Sequence, residues 1–298
     1  MTDTDRPALA IGLRILSGVL AAGMFVAVKA VSGDIPLGEI VFFRSFFALV
    51  PLVVFLWLRN EFPGGLATKR PFDHLLRASF GALALFSSFA ALARLNLSEA
   101  ILIAQLAPML TAIAAVVLLS ERLTPWRVGG LALGFAGVLV LVWPELGAGT
   151  VDAARVLGVG CALVSAALTA FALIMVRRLN KTESPGAIAF YFVIASMLAA
   201  LLTLPWGWVW PQGPTLIYLI AAGLFGGCTH IAMTLSFRYA EASRLAPFEY
   251  IALLWPLLAD LFVFRLPVAA SFIVAAPLVL AGAAVAASER RKRPVTAP

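Results

Sequence analysis

Five side chains able to bind a solute or exchange a proton fall inside strongly apolar stretches of this sequence: Lys29, Arg44, Gln105, His230 and Glu249. A charged group at the centre of a hydrocarbon layer costs about 2.5 to 3.5 kcal/mol, so each needs a reason to be there. Glu249 and Gln105 stand at corresponding depths in two similar halves of the chain. Both suit a polar or charged head group, with Glu249 able to take up a proton; the alternative is a hydrogen-bond network between helices. His230 lies on a stripe of Gly223, Gly226, Gly227, Thr234 and Phe237 at helical spacing, which either packs closely or faces water. Its imidazole then lines a cavity, with Phe86 at the matching depth of the other half, or bonds to a neighbouring helix.

Lys29 is near the end of its apolar stretch, the place of a gate or an interfacial anchor, and Arg44 is set where a long side chain can snorkel. Phe25, Phe86, Phe171, Tyr250 and Trp255 offer rings to a planar or apolar part of a solute. Pro108 and Pro256 remove backbone donors inside apolar stretches and so kink them, either as working bends or as passive ones. Catalysis has little to draw on. The only histidines are His74 and His230, and the sequence has no His-Glu-x-x-His, no aspartate-rich motif and no catalytic dyad, so neither an enzyme, a metal site nor a cofactor is expected. A channel would show a repeated filter or a charged ring, and neither appears.

The elements that must carry these residues are dictated by composition. The 298 residues are 62% hydrophobic and 12% charged, where a soluble domain spends about a quarter on charge. At roughly 20 apolar residues per span, the chain holds ten transmembrane helices. Punctuation by charge, proline and glycine puts them near 8–31, 36–58, 73–93, 98–119, 125–143, 154–177, 185–205, 214–237, 243–264 and 267–287. Cys161 and Cys228 fall inside spans and read as buried thiols. The formal charge of +7 is topology rather than nucleic-acid binding: Lys and Arg gather in alternate connections and at both ends, 17 on one side against 3 on the other. Both termini are thus expected in the cytoplasm of a bacterial-type inner membrane, with Trp206, Trp208 and Trp210 as an interfacial belt on the outside.

The halves repeat. A shift of 144 residues lays Arg94 on Arg238 and Gln105 on Glu249, 146 lays Phe25 on Phe171, and 149 lays Pro36 on Pro185. Five helices is an odd number, so the second copy, 146–288, enters the membrane in the opposite sense to the first, 1–145, leaving a basic tail at 289–298. Two inverted repeats around a central cavity supply nearly equivalent inward-open and outward-open states, which is the logic of a carrier with alternating access to a midplane site.

Ser120-Glu121-Arg122-Leu123-Thr124-Pro125, followed by Gly129-Gly130, Gly134 and Gly137, resembles the end of the repeat of the EamA family of the drug/metabolite transporter superfamily, and Phe42-Phe43-Arg44-Ser45-Phe46-Phe47 is similar to an arginine-bearing stretch of its second helix. The second copy departs from the pattern, with Arg265 in the place of Glu121. The resemblance implies a basket of ten helices whose cavity is lined by helices 1, 3, 4, 6, 8 and 9, with helices 2 and 7 outside. It also implies a secondary transporter, monomeric or homodimeric, that moves a small organic metabolite through the lipid bilayer. Amino-acid exporters of the YddG type are the leading branch; carriers of vitamins, nucleotide-like compounds or choline-like cations are the alternative.

Overall fold

A computed structural model of the chain describes residues 6–119, 125–147, 152–180, 182–239 and 253–288. Apolar stretches become helices because a hydrocarbon solvent offers backbone N–H and C=O groups no partner except each other. The helices are α1 (Pro7–Val31), α2 (Leu37–Leu58), α3 (Pro71–Leu92), α4 (Leu97–Ala104), α5 (Ala107–Leu119), α6 (Pro125–Gly147), α7 (Ala153–Leu179), α8 (Pro185–Leu201), α9 (Pro214–Tyr239), α10 (Leu254–Phe262) and α11 (Ala270–Ser288). Pro7, Pro71 and Pro185 open their helices where a missing N–H costs nothing, and Asp152 and Ser184 cap α7 and α8 by accepting bonds from first-turn N–H groups. The 22 residues of α2 and of α3 each give about 33 Å, enough to cross a bilayer core.

The fold is all-helical, with ten spans. The fourth span departs from the single helix expected over 98–119: it breaks at Gln105 and Leu106 into α4 and α5. Pro108 is the second residue of α5 and Pro256 the third of α10 as described, so both stand in first turns rather than in helix interiors. Pro108 takes no N–H out of an established ladder there, and the helix-interior kink read at it from the sequence is replaced by a helix start, while the segment leading into the helix of Pro256, ahead of Leu253, lies outside those described. Residues 240–252, on which Glu249 and Tyr250 fall, lie outside the described residues.

The two halves are interlocked. Span 1 (α1) packs on span 8 (α9), and span 6 (α7) packs on span 3 (α3). Span 2 (α2) packs on α9, and span 7 (α8) on α3; α4 and α5 lie on α7, as α10 lies on α1. Exchanging the halves maps each contact onto another, and the two remaining large contacts, α2 with α8 and α6 with α11, map onto themselves. That is the pattern of a pseudo-two-fold axis. The chief core lies between spans of both halves and includes Val28, Phe89, Leu92, Leu102, Ile103, Leu106, Leu219 and Val279. Large apolar side chains such as Leu58, Leu202 and Phe262 point outward, as lipid permits, and Trp206 and Trp210 are exposed at the rim where indoles favour the bilayer interface.

Small residues set how closely the spans approach. A Cβ on Gly282 of α11 would stand 2.5 Å from the Gly130 carbonyl oxygen and 2.7 Å from the Gly134 N of α6. The glycine pair in the fifth span is thus an internal contact that brings two backbones together. Gly282→Leu is expected to cost at least about 1–3 kcal/mol through overpacking, seen as a lower melting temperature in detergent. Gly12→Leu, at a position with nothing within 4 Å, should leave melting unchanged.

Candidate functional site

Two charged centres join the halves. The first lies at the face opposite the termini. Asn96 and Glu99 open α4, with the Asn96 N–H donating to Glu99 Oε2 at 3.3 Å. The Leu97 and Ser98 N–H groups, orphaned by the start of the helix, donate to Asp260 Oδ1 and Oδ2 of α10 at 3.0 and 2.7 Å. A carboxylate from the second half therefore caps a helix of the first and answers its positive end. Arg155 of α7 grips Glu99 with both arms of its fork, Nη1 to Oε2 at 3.0 Å and Nη2 to Oε1 at 2.7 Å. Lys29 Nζ donates to the Leu92 and Leu95 carbonyls at 3.1 and 2.5 Å, which finishes α3, and lies 5.7 Å from the Phe264 ring centroid. Glu99 is 2% exposed and Asp260 3%, so two acids and two bases form a buried, charge-balanced latch across α1, α3, α4, α7 and α10. A closed seam beside it is lined by Asn96, Ser98, Glu99, Leu257, Asp260 and Phe272. On the terminal face the halves meet by a lighter tie, His74 Nε2 at 3.6 Å from Glu183 Oε2.

The second centre lies between α2, α3, α8 and α9 and carries no such balance. Arg44 of α2 is 3% exposed and was expected to snorkel; instead Gly226 of α9 leaves room for its guanidinium, which turns inward to 3.6 Å from Met24 Sδ. Its Nε and Nη1 are buried without a hydrogen-bond partner among the described residues. Arg77 of α3 lies over the Phe192 ring, Cζ 4.4 Å from the centroid, with Nε and Nη1 also buried and unpartnered. The same Phe192 meets His230 edge-to-face at 6.2 Å, and both arginine charges act on that imidazole. His230 lines a narrow recess with Leu52, Phe55, Pro185, Gly186, Ala189, Ile231 and Thr234. The hydroxyls of Ser45, Ser196 and Thr229, on α2, α8 and α9, are likewise buried without partners among the described residues.

Of the residues singled out by sequence, His230 stands in this second centre and Lys29 in the first. Gln105 is half-buried at the break in the fourth span, its N–H shared between the Ile101 and Leu102 carbonyls. Phe25 and Phe86 pack against the chief core, Phe171 stacks on Phe80 at 5.4 Å, and Trp255 is half-buried with its Nε1 unpartnered among the described residues. The stripe on α9 packs rather than faces water along much of its length: a Cβ on Gly223 would meet the Arg44 carbonyl at 2.9 Å, and one on Gly227 the Ala48 carbonyl at 2.8 Å. Three functional candidates escaped the sequence reading. Arg77 counted there only among the 17 Lys and Arg of one side; its signal was Gly81 one turn on, a residue small enough to admit the guanidinium. Glu99 and Asp260 gave no signal, because their partners are distant in sequence.

Arg155→Ala strands the buried Glu99 carboxylate and is expected to cost about 3–5 kcal/mol. The double variant Glu99→Gln, Arg155→Met should recover much of that loss. Melting temperature reports the cost, and a membrane-impermeant maleimide on Ser98→Cys should label faster once the latch is broken.

Residues 8–143 match the EamA-like transporter family. A pseudopaline exporter of Pseudomonas aeruginosa is 28% identical over 249 residues, 82% of this chain and 83% of its own. An S-adenosylmethionine uptake transporter of Rickettsia felis is 26% identical over 258 residues, 85% of this chain and 84% of its own. A riboflavin transporter of Rhizobium johnstonii is 28% identical over 193 residues, covering 62% and 61%. One crystal structure superposes with a TM-score of 0.68 at 23% identity, over 97% of this chain and 100% of that one, which concerns the fold alone. The ten-span helical fold, the match of the first repeat to the EamA-like transporter family and relatives named for moving pseudopaline, S-adenosylmethionine and riboflavin agree that this chain is similar to metabolite transporters.

Proposed function

We propose that this transporter is a secondary carrier that exports amino acids or closely related amphipathic metabolites by alternating access, with Glu249, Gln105 and His230 among its solute contacts. The observation that carries the reading is the interlocked packing, in which the first span of each half rests on the third span of the other. Halves joined in this way can rock against each other, exchanging one set of contacts for its symmetry-related set at little net cost. The latch of Lys29, Glu99, Arg155 and Asp260 closes the face away from the termini, and rocking must open it. With both ends cytoplasmic, as the distribution of Lys and Arg favours, that face is the outer one and export ends with its release.

Relatives named for S-adenosylmethionine uptake and riboflavin transport favour a second reading, in which the solute is a larger nucleoside-like or vitamin-like compound and net movement is inward. Counterflow of labelled amino acids in proteoliposomes, run with and without a pH gradient, separates the two. Export of amino acids predicts saturable counterflow that falls by about tenfold in His230→Ala and Glu249→Gln, the loss of one charge-assisted hydrogen bond of roughly 1.5–3 kcal/mol, while folded protein is unchanged. Counterflow with riboflavin or S-adenosylmethionine and none with amino acids would replace the first reading by the second.

A further inference from the structure

We infer that Arg44, Arg77 and His230 form the anion subsite of the carrier, built for the carboxylate of a monocarboxylic solute with an apolar tail, whether or not that solute bears an amino group. The inference rests on the carrier reading and names the chemistry of its solute. Two guanidiniums buried beside one imidazole are electrostatically unfavourable, since desolvation and like charge both oppose them. Such groups persist when an opposite charge arrives to pair them. Acidic side chains of the described residues are engaged elsewhere: Glu99 with Arg155, Asp260 with the start of α4, Glu183 with His74, Glu39 with the Val209 N–H, and Asp73, one turn before Arg77, with Arg70. None of them reaches Arg44 or Arg77.

The two cations are placed by the same device used twice. Gly226 of α9 opens a niche against α2 that holds the Arg44 guanidinium, and Gly81 of α3 opens one against α8 that holds Arg77 over Phe192. The contacts α9 with α2 and α3 with α8 exchange under the pseudo-two-fold; both guanidiniums come from the first half, and the second half supplies His230 and the Phe192 ring that Arg77 and His230 share. A carboxylate bound by both is held through charge-assisted bonds, and guanidinium forks match its two oxygens. The recess beyond His230 is walled by Leu52, Phe55, Ala189 and Ile231, apolar side chains that must part to admit a branched aliphatic tail and that offer no second charge. Among the described residues this centre has no carboxylate to receive an ammonium, so the amino group is not what it selects.

Thermal shifts of the purified full-length protein at constant ionic strength, with 4-methylpentanoate, L-leucine, L-leucinamide and inorganic phosphate as probes, test the assignment. The expected result is stabilisation by 4-methylpentanoate and L-leucine but not by L-leucinamide or phosphate. Apparent affinity should weaken by about tenfold or more in Arg44→Gln and Arg77→Gln, the worth of roughly one charge-assisted bond. Should a Gln variant fail to fold, the Lys variant at that position keeps the charge but loses the fork, and it too should bind more weakly than the native protein. Equal response to L-leucinamide, a phosphate response as strong as the carboxylate one, no response to any probe, or unchanged affinity in the variants would overturn the subsite. Counterflow of the same carboxylates keeps the two ideas apart: flux that ignores Arg44 and Arg77 sinks the subsite and leaves the carrier, while carboxylate binding without flux of any probe leaves the subsite and sinks the carrier.

Discussion

Hydrocarbon solvates neither a peptide group nor a charge, and every feature of this molecule answers to that. Backbone groups turn inward to helical ladders, and helix ends become the places where partners must be brought in. Asp260 receiving the first N–H groups of α4, and Lys29 donating to the last carbonyls of α3, are the same solution at two helix ends. Because each partner comes from a different span, satisfying the backbone and fastening the bundle are one act.

The same scarcity of partners separates the two charged centres. Around Glu99 and Asp260, acids and bases are equal in number, and each buried oxygen is met by N–H groups at hydrogen-bond distance. Such a cluster is costly to break from one side only, which suits a latch that either stays shut or opens as a whole. Around His230 the charges are of one sign and several hydroxyl and guanidinium groups have no partner among the described residues. Stability is not served by that arrangement; readiness for an incoming group is.

Small residues allow both centres to exist. Glycines in α6 and α11 bring backbones within van der Waals contact, while Gly81 and Gly226 give up side-chain volume so that guanidiniums can enter the bundle. Packing in a membrane has little hydrophobic drive, so close approach of small residues and polar bonds between spans supply the cohesion. The halves repeat in topology but not in chemistry: the latch draws Lys29 and Glu99 from one and Arg155 and Asp260 from the other, with no residue used twice.

Ten helical spans, the proline-opened starts, the repeat and the family pattern were legible in the sequence, because each rests on local composition or on spacing along one chain. His230, Lys29 and Gln105 stood out for the same reason, as polar residues in apolar runs. Arg44 was visible but misplaced, since a snorkelling arginine and a buried one look alike until the glycine on the facing helix is known. The break after α4 was hidden because an apolar run with a proline reads as one kinked helix as readily as two. Arg77 passed for rim charge, and the pairing of Glu99 with Arg155 and of Asp260 with α4 had no trace at all. One-dimensional spacing records which face of its own helix a residue occupies; which span that face meets is decided only when the helices cross.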